Sequence, residues 1–273
     1  MSVLERYDLI IFDLDGTLYE GGEHFEYYAN HLKQKVKEDQ QKEFASDYEK
    51  MKEGEHPVTI GKAYDVEKDL VLTIDPMTLL VTQALRWDGS LLSEQATQDL
   101  YQENLNFDFE SMIAIGDGWW LPFVCAKHYG VEDCYSSYVA TKEFMVTDAF
   151  TLDPLPGLKE SLERLAATTS VVLVTNSDID DVNRLLHELQ LTDMFKEVIP
   201  SAKKPAETSR LFKQLLAAYQ VEPARTVSIG DNYINDVAPA VLLGMDGLYI
   251  HPDTPPSFHR NVKVISSVLD CFH

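Results

Sequence analysis

Asp8-Leu9-Ile10-Ile11-Phe12-Asp13-Leu14-Asp15-Gly16-Thr17-Leu18-Tyr19 carries an apolar run straight into two carboxylates one residue apart. Leu9 to Phe12 is continuous, β-branched or aromatic, and too short for a helix, which predicts a strand buried on both faces, as in a parallel sheet. If residues 13–15 stay extended, the period of two sends Asp13 and Asp15 to one side and Leu14 to the other. Gly16 then lets the chain turn.

The same texture returns only far downstream. Val171 to Val174 is a second buried-strand run and ends in Thr175-Asn176. Glu197 to Ile199 is a short third, Thr226 to Ile229 a fourth ending in Gly230-Asp231, and Gly247 to Ile250 a fifth. Between them, apolar spacing of three and four predicts helices over 158–166, 179–189 and 207–219, with Asp180 and Asp181 in a first turn that favours negative charge. Alternation of this kind predicts an α/β fold, a doubly wound parallel sheet with a Rossmann-like core, and ligands bound beyond the carboxyl ends of the strands.

The intervening stretch reads differently. Helical spacing runs through Tyr28, Leu32 and Val36, then Phe44, Tyr48 and Met51, and stops at Gly54 and Pro57, which predicts a long helix or a helical hairpin. Further helices are expected over 76–87, 93–105 and 119–129, with a weaker strand signal over 69–74. The expected organisation is a catalytic core of residues 1–19 and 150–273, and a mostly helical cap of residues 20–149 inserted after the first strand. Asp153-Pro154-Leu155-Pro156-Gly157 punctuates the return. Tyr19, Glu20, Gly21 and Gly22 are expected to form a mobile hinge or flap.

Composition bounds the function. With 273 residues, 45% hydrophobic and 10% aromatic, the chain can bury a sizeable core. Its 45 acids against 23 bases give a formal net charge of -22 and no basic stripe, which argues against affinity for nucleic acid or an anionic membrane surface. The first residues mix charges and precede a strand, so neither a signal peptide nor a transmembrane helix is expected. Cys125, Cys134 and Cys271 are widely spaced with no zinc-like pattern, and the cytosol is the expected compartment. Oligomeric state is left open between monomer and homodimer.

The chemistry collects at strand ends. Asp13 and Asp15, then Thr175 and Asn176, then Asp231 with Asp236 five residues on, should converge at one edge of the sheet, and Lys203-Lys204-Pro205 offers the nearest positive charge. Carboxylates at a sheet's end require a partner or a metal, and several hard oxygen donors favour Mg²⁺. Taken singly, Thr175 could cap the following helix, Lys204 could be a solvated lysine with Lys203 its competitor, and Asp236 could be a helix N-terminal charge. Gly116-Asp117-Gly118 echoes Gly230-Asp231 but lacks the second acid and is assigned no metal.

Four motifs in order, Asp13-Leu14-Asp15-Gly16-Thr17, Thr175, Lys204 before Pro205, and Gly230-Asp231-Asn232-Tyr233-Ile234-Asn235-Asp236, resemble those of the haloacid dehalogenase superfamily, phosphatase branch. Pro239 departs from the small residue usual after the fourth motif. The resemblance implies Asp13 as the nucleophile that forms an aspartyl-phosphate, and Asp15 as general acid and then general base. It implies phosphate binding by Thr175, Asn176 and Lys204. It also implies Mg²⁺ held by Asp13, the Asp15 backbone carbonyl, Asp231 and Asp236, the last at the metal or one layer behind it. The expected activity is Mg²⁺-dependent hydrolysis of a phosphomonoester, with a phosphotransferase or mutase, or a non-catalytic binding protein on the same fold, as alternatives. Residues 20–149 hold 25 acids, 11 bases and a single arginine, Arg86. A cap built to clamp several phosphates with arginine forks is therefore not expected, and a small monophosphorylated metabolite is.

Overall fold

In the computed structural model, described for residues 3–147, 149–152, 154–251 and 259–272, β1 (Leu9–Phe12) is buried along its whole length, as the unbroken apolar run requires. The prolines of the 154–157 return are within these residues, whereas Asp153 lies outside them. The chain divides into two compact units, Met1–Glu20 with Leu152–His273, and Gly21–Thr151.

The second unit follows β1 in sequence. It contains α1 (Glu23–Lys33), α2 (Gln41–Lys52), β2 (Ala63–Asp65), β3 (Leu70–Ile74), β4 (Val81–Arg86), α3 (Glu94–Leu100), β5 (Met112–Ala114), α4 (Trp120–His128) and α5 (Tyr135–Phe144). The spacing read over 28–51 is realised as a helical hairpin, α1 and α2. Tyr28, Leu32, Phe44, Tyr48 and Met51 enter one core with Val124 and Cys125 of α4. Trp119, Trp120, Phe123 and Tyr129 pack against that core.

The helix expected over 76–87 is not formed. Its second half is β4, which pairs antiparallel with β3 in a four-stranded sheet ordered β4-β3-β2-β5. Met77, Leu80 and Ala84 fall at helical spacing, but the turn at Asp75 redirects the chain. The Asp75 side chain accepts from the amides of Met77 and Thr78, and Leu80 accepts the Asp75 amide. An Asx turn of this kind competes with helix formation.

The first unit resumes with α6 (Leu158–Ala166), β6 (Ser170–Val174), α7 (Ile179–Glu188), β7 (Glu197–Ile199), α8 (Thr208–Tyr219) and β8 (Thr226–Gly230). After a widened helical turn at Tyr233–Val237 come α9 (Ala238–Leu242), β9 (Asp246–Ile250) and β10 (Val262–Ile265). Asp178 caps α7 by accepting from the amides of Asp180 and Asp181. All six strands are parallel, in the order β10-β9-β8-β1-β6-β7. Numbered within this unit alone, that order is 3-2-1-4-5-6, the Rossmann arrangement, whose direction reverses between β1 and β8. The doubly wound core is therefore as expected.

Leu9 and Ile11 of β1, Val172 and Val174 of β6, Phe212 and Leu215 of α8, and Ala240 beyond β8 form one apolar layer. Each of these buried side chains other than that of Ala240 contributes about 1.5–3 kcal/mol. Pro239 sits in the first turn of α9. In a regular helix its ring would clash with the carbonyl of Asn235, and the wide turn just before it makes room.

Candidate active site

The crevice at the reversal point is built by the ends of β1, β6 and β8 and the loop after β7. The β1–β8 pairing continues one residue past β1, where the Asp13 amide donates to the Ile229 carbonyl (2.9 Å), so the carboxylate emerges at the rim of the sheet. Beyond it the chain turns helically, with the amides of Thr17 and Leu18 both donating to the Leu14 carbonyl.

The loop after β7 is fastened to the end of β6. Ala202 and Ser201 amides donate to the carbonyls of Thr175 and Ser177, both at 2.9 Å. The Asn176 side chain holds the main chain of Lys204 from both sides, accepting its amide at 2.7 Å and donating to its carbonyl at 3.0 Å. Asn176, expected to bind phosphate, thus directs its side chain to Lys204. The choice between the two lysines follows: Lys203 is exposed, whereas Lys204 is 3% exposed.

Lys204 Nζ donates to Asp13 Oδ1 at 2.7 Å and to Asp236 Oδ1 at 2.6 Å. Oxygens of Asp13, Asp231 and Asp236 lie within 4.8 Å of one another, the one such acidic cluster found among the described residues. Asp13 is raised to about 7 on balance: burial pushes it up most, Lys204 pulls it down, and Asp236 and Asp15 push it up. Burial would lower Lys204, but the two carboxylates outweigh it and hold the ammonium charged.

Two glycines make the cluster possible. A methyl group on Gly16, whose φ is +71°, would lie 2.1 Å from Asp231 Oδ2, and one on Gly230 would lie 2.4 Å from Asp236 Oδ2. Three carboxylates against one ammonium leave a buried negative excess, and an all-oxygen donor set suits a hard divalent ion. Asn235 Oδ1, buried beside Asp236 in sequence, has no hydrogen-bond partner among the described residues. These residues fit Mg²⁺.

Asp15 is held apart from that cluster. Its Oδ1 accepts from Tyr19 Oη at 2.7 Å and its Oδ2 from Ser177 Oγ at 2.8 Å, with Thr175 Oγ1 at 3.4 Å. Tyr19, expected as part of a flap, is instead 1% exposed and packed inside the core unit. Burial, then the neighbouring Asp15 carboxylate, raise the tyrosine well above its ordinary range, so it stays a phenol and donates. Sequence reasoning missed both Tyr19 and Ser177. The available signals were the four-residue step from Asp15 to Tyr19, one helical turn, and the position of Ser177 two residues past Thr175 at a strand end.

Fold and site together define a Rossmann-type α/β protein with an acid–lysine cluster at its switch point. Residues 127–250 match the family described as haloacid dehalogenase-like hydrolase. Haloacid dehalogenase-like hydrolase domain-containing protein 3 of Xenopus laevis is 27% identical over 150 residues, 53% of this chain and 62% of that protein. The chain thus spans less than two thirds of that relative's length. Among solved structures, the HAD-hydrolase YfnB from Bacillus subtilis, bound to magnesium, is similar with a TM-score of 0.54 and 15% identity, covering 98% of each chain. A haloacid dehalogenase-like family hydrolase from Xanthomonas campestris has a TM-score of 0.50 and 14% identity, over 97% of this chain and 88% of that one. At these identities the likeness is one of fold. Over residues 127–250 the chain is thus similar to haloacid dehalogenase-like hydrolases, and along its length it shares their fold.

Proposed function

We propose that this protein is a Mg²⁺-dependent phosphomonoester hydrolase acting on a small phosphorylated metabolite. The observation that carries the reading is the buried Lys204 ammonium, shared between Asp13 and Asp236 beside Asp231. A fixed cation next to a nucleophilic carboxylate is what stabilises the equatorial oxygens of a transferring phosphoryl group. Asp13, Asp231 and Asp236, with the Asp15 backbone carbonyl, would hold Mg²⁺, which supplies charge neutralisation at the phosphoryl oxygens.

In the first step an Asp13 carboxylate oxygen attacks phosphorus in line and the bond from phosphorus to the ester oxygen breaks. Asp15 gives its proton to that departing oxygen, and the alcohol leaves. In the second step Asp15 takes a proton from water, the water oxygen attacks phosphorus, and the Asp13–phosphorus linkage breaks to release phosphate. Lys204 keeps Asp13 oriented throughout, and its remaining N–H bond is available to a phosphoryl oxygen. Asp15 suits its two roles because hydroxyls donate to both its oxygens, and a hydroxyl can donate to a carboxylate or accept from a carboxylic acid, whereas Asp13 faces a cation.

The test is phosphate release from a panel of phosphomonoesters with Mg²⁺, comparing wild type with Asp13→Asn. The expected result is metal-dependent release from at least one small monoester, loss of release in the variant, and a phosphoryl group on Asp13 detected by mass. Equal release by both proteins removes Asp13 as nucleophile. Release of phosphate only from polyphosphates or nucleic acid overturns the substrate class.

A further inference from the structure

Asp15 lies one helical turn before Tyr19 and across the crevice from Ser177, and each of its two oxygens has its own short donor. The donors come from different segments: the turn after β1 supplies the phenol and the end of β6 supplies the serine. Each is fixed independently. Tyr19 is packed in the core, and Ser177 has its amide on Thr175 Oγ1 at 3.1 Å and its carbonyl on the Ser201 amide at 2.9 Å. Thr175 Oγ1, at 3.4 Å from Asp15, is too distant to be an effective third donor.

A carboxyl gripped at one oxygen still rotates about its last bond, whereas one gripped at both is held in a single plane. We propose that Tyr19 and Ser177 are positioning residues that together fix the plane and rotamer from which Asp15 transfers its proton. This rests on the phosphomonoesterase reading above and extends it to two side chains that hydrogen-bond to the Asp15 carboxylate. A proton passed to a leaving oxygen needs donor and acceptor within hydrogen-bond reach and in line, so the loss of one grip weakens that step more than it weakens attack by Asp13.

The two steps can be separated by leaving group. p-Nitrophenolate departs without being protonated, whereas an alkoxide does not, so kcat/KM for p-nitrophenyl phosphate is insensitive to the general acid and kcat/KM for an alkyl monoester depends on it. In Tyr19→Phe, which keeps the ring and deletes the hydroxyl, the ratio of the first kcat/KM to the second should rise about ten-fold, the loss expected for one hydrogen bond to a charged group. Ser177→Ala, a smaller change at a separate site, should raise the same ratio in the same direction. Thermal midpoints are measured alongside.

A merely structural role for Tyr19 and Ser177 would depress both substrates alike and leave the ratio at the wild-type value, which overturns the proposal. If wild type hydrolyses both ester types and both variants match it, positioning alone is refuted and the phosphomonoesterase reading stands. If wild type hydrolyses neither, the phosphomonoesterase reading is refuted and this proposal with it.

Discussion

Removing the Lys204 ammonium would leave Asp13 and Asp236 facing each other in a buried site with no cation between them. Breaking a buried pair costs about 3–5 kcal/mol, because the remaining charge keeps its desolvation penalty. Lys204→Met is therefore expected to lower the thermal midpoint of the metal-free protein markedly. Added Mg²⁺ should recover more stability in the variant than in wild type, since it replaces the missing charge. A midpoint equal to wild type without metal would show that the two acids do not depend on Lys204. At Gly16 the sensitivity is steric. An added methyl meets Asp231 Oδ2 at 2.1 Å, and its φ of +71° costs a non-glycine residue about 1 kcal/mol or more. Gly16→Ala should displace Asp231 and weaken Mg²⁺ binding about ten-fold by calorimetric titration, with the circular dichroism spectrum unchanged; undiminished affinity would mean that Asp231 is not a ligand.

At the scale of elements, what could be read from sequence follows from how each element is stabilised. Strands β1, β6 and β8 are apolar along their length because both faces are covered, and such runs announce themselves without knowledge of their partners. Helices α6, α7 and α8 carry a full apolar stripe and were equally plain. In the second unit only β3, buried at all but Thr73, had a strand signal in the sequence. β2 and β5 have three residues each, and β4 buries only Ala84 completely, so their pairing is a tertiary fact with little local trace. β10, with Lys263 exposed at its middle, was likewise silent. In the site, Asp13, Asp231 and Asp236 could be placed at strand ends and Lys204 chosen over Lys203 through the resemblance, while the contacts of Tyr19, Ser177 and Asn176 depend on which loop lies against which.

The second unit also holds a titratable element contact. His56 Nδ1 accepts the Val58 amide at 3.0 Å and its ring meets Trp87 edge to face at 4.6 Å. Burial lowers it to about 4, opposed by Asp47 and assisted by Lys50, His128 and Lys62. A depressed folded-state value means that the unfolded chain binds a proton first as pH falls. The contribution is thus intact above about 6.5 and is lost progressively between 6.5 and 4. The thermal midpoint of wild type relative to His56→Asn, which keeps an acceptor and cannot titrate, should fall across that window by about 2–4 °C. This corresponds to about 1 kcal/mol once screening near the surface is allowed for. A difference independent of pH would remove His56 as the titrating group.

For the molecule as a whole, the net charge of -22 is distributed over two units, each with a core of its own. The acidic cluster belongs wholly to the first unit, so a metal ion held there would stabilise that unit directly. Unfolding need not be two-state in such a chain, and calorimetry without metal is expected to resolve two transitions or one broadened one. A ligand that binds only the folded state stabilises by RT ln(1 + [L]/Kd), about 2.7 kcal/mol at a hundred-fold excess over Kd. Saturating Mg²⁺ should therefore raise the transition of the first unit by roughly 5–10 °C and leave the other where it was. High salt without Mg²⁺ separates this from general screening: a monovalent salt relaxes repulsion among exposed acids throughout the chain and moves both transitions together. Asp231→Asn should abolish the Mg²⁺ shift and preserve the response to salt. If Mg²⁺ instead moved both transitions equally, or moved the first one in Asp231→Asn as in wild type, the three carboxylates beside Lys204 would not be the site through which the ion stabilises this protein.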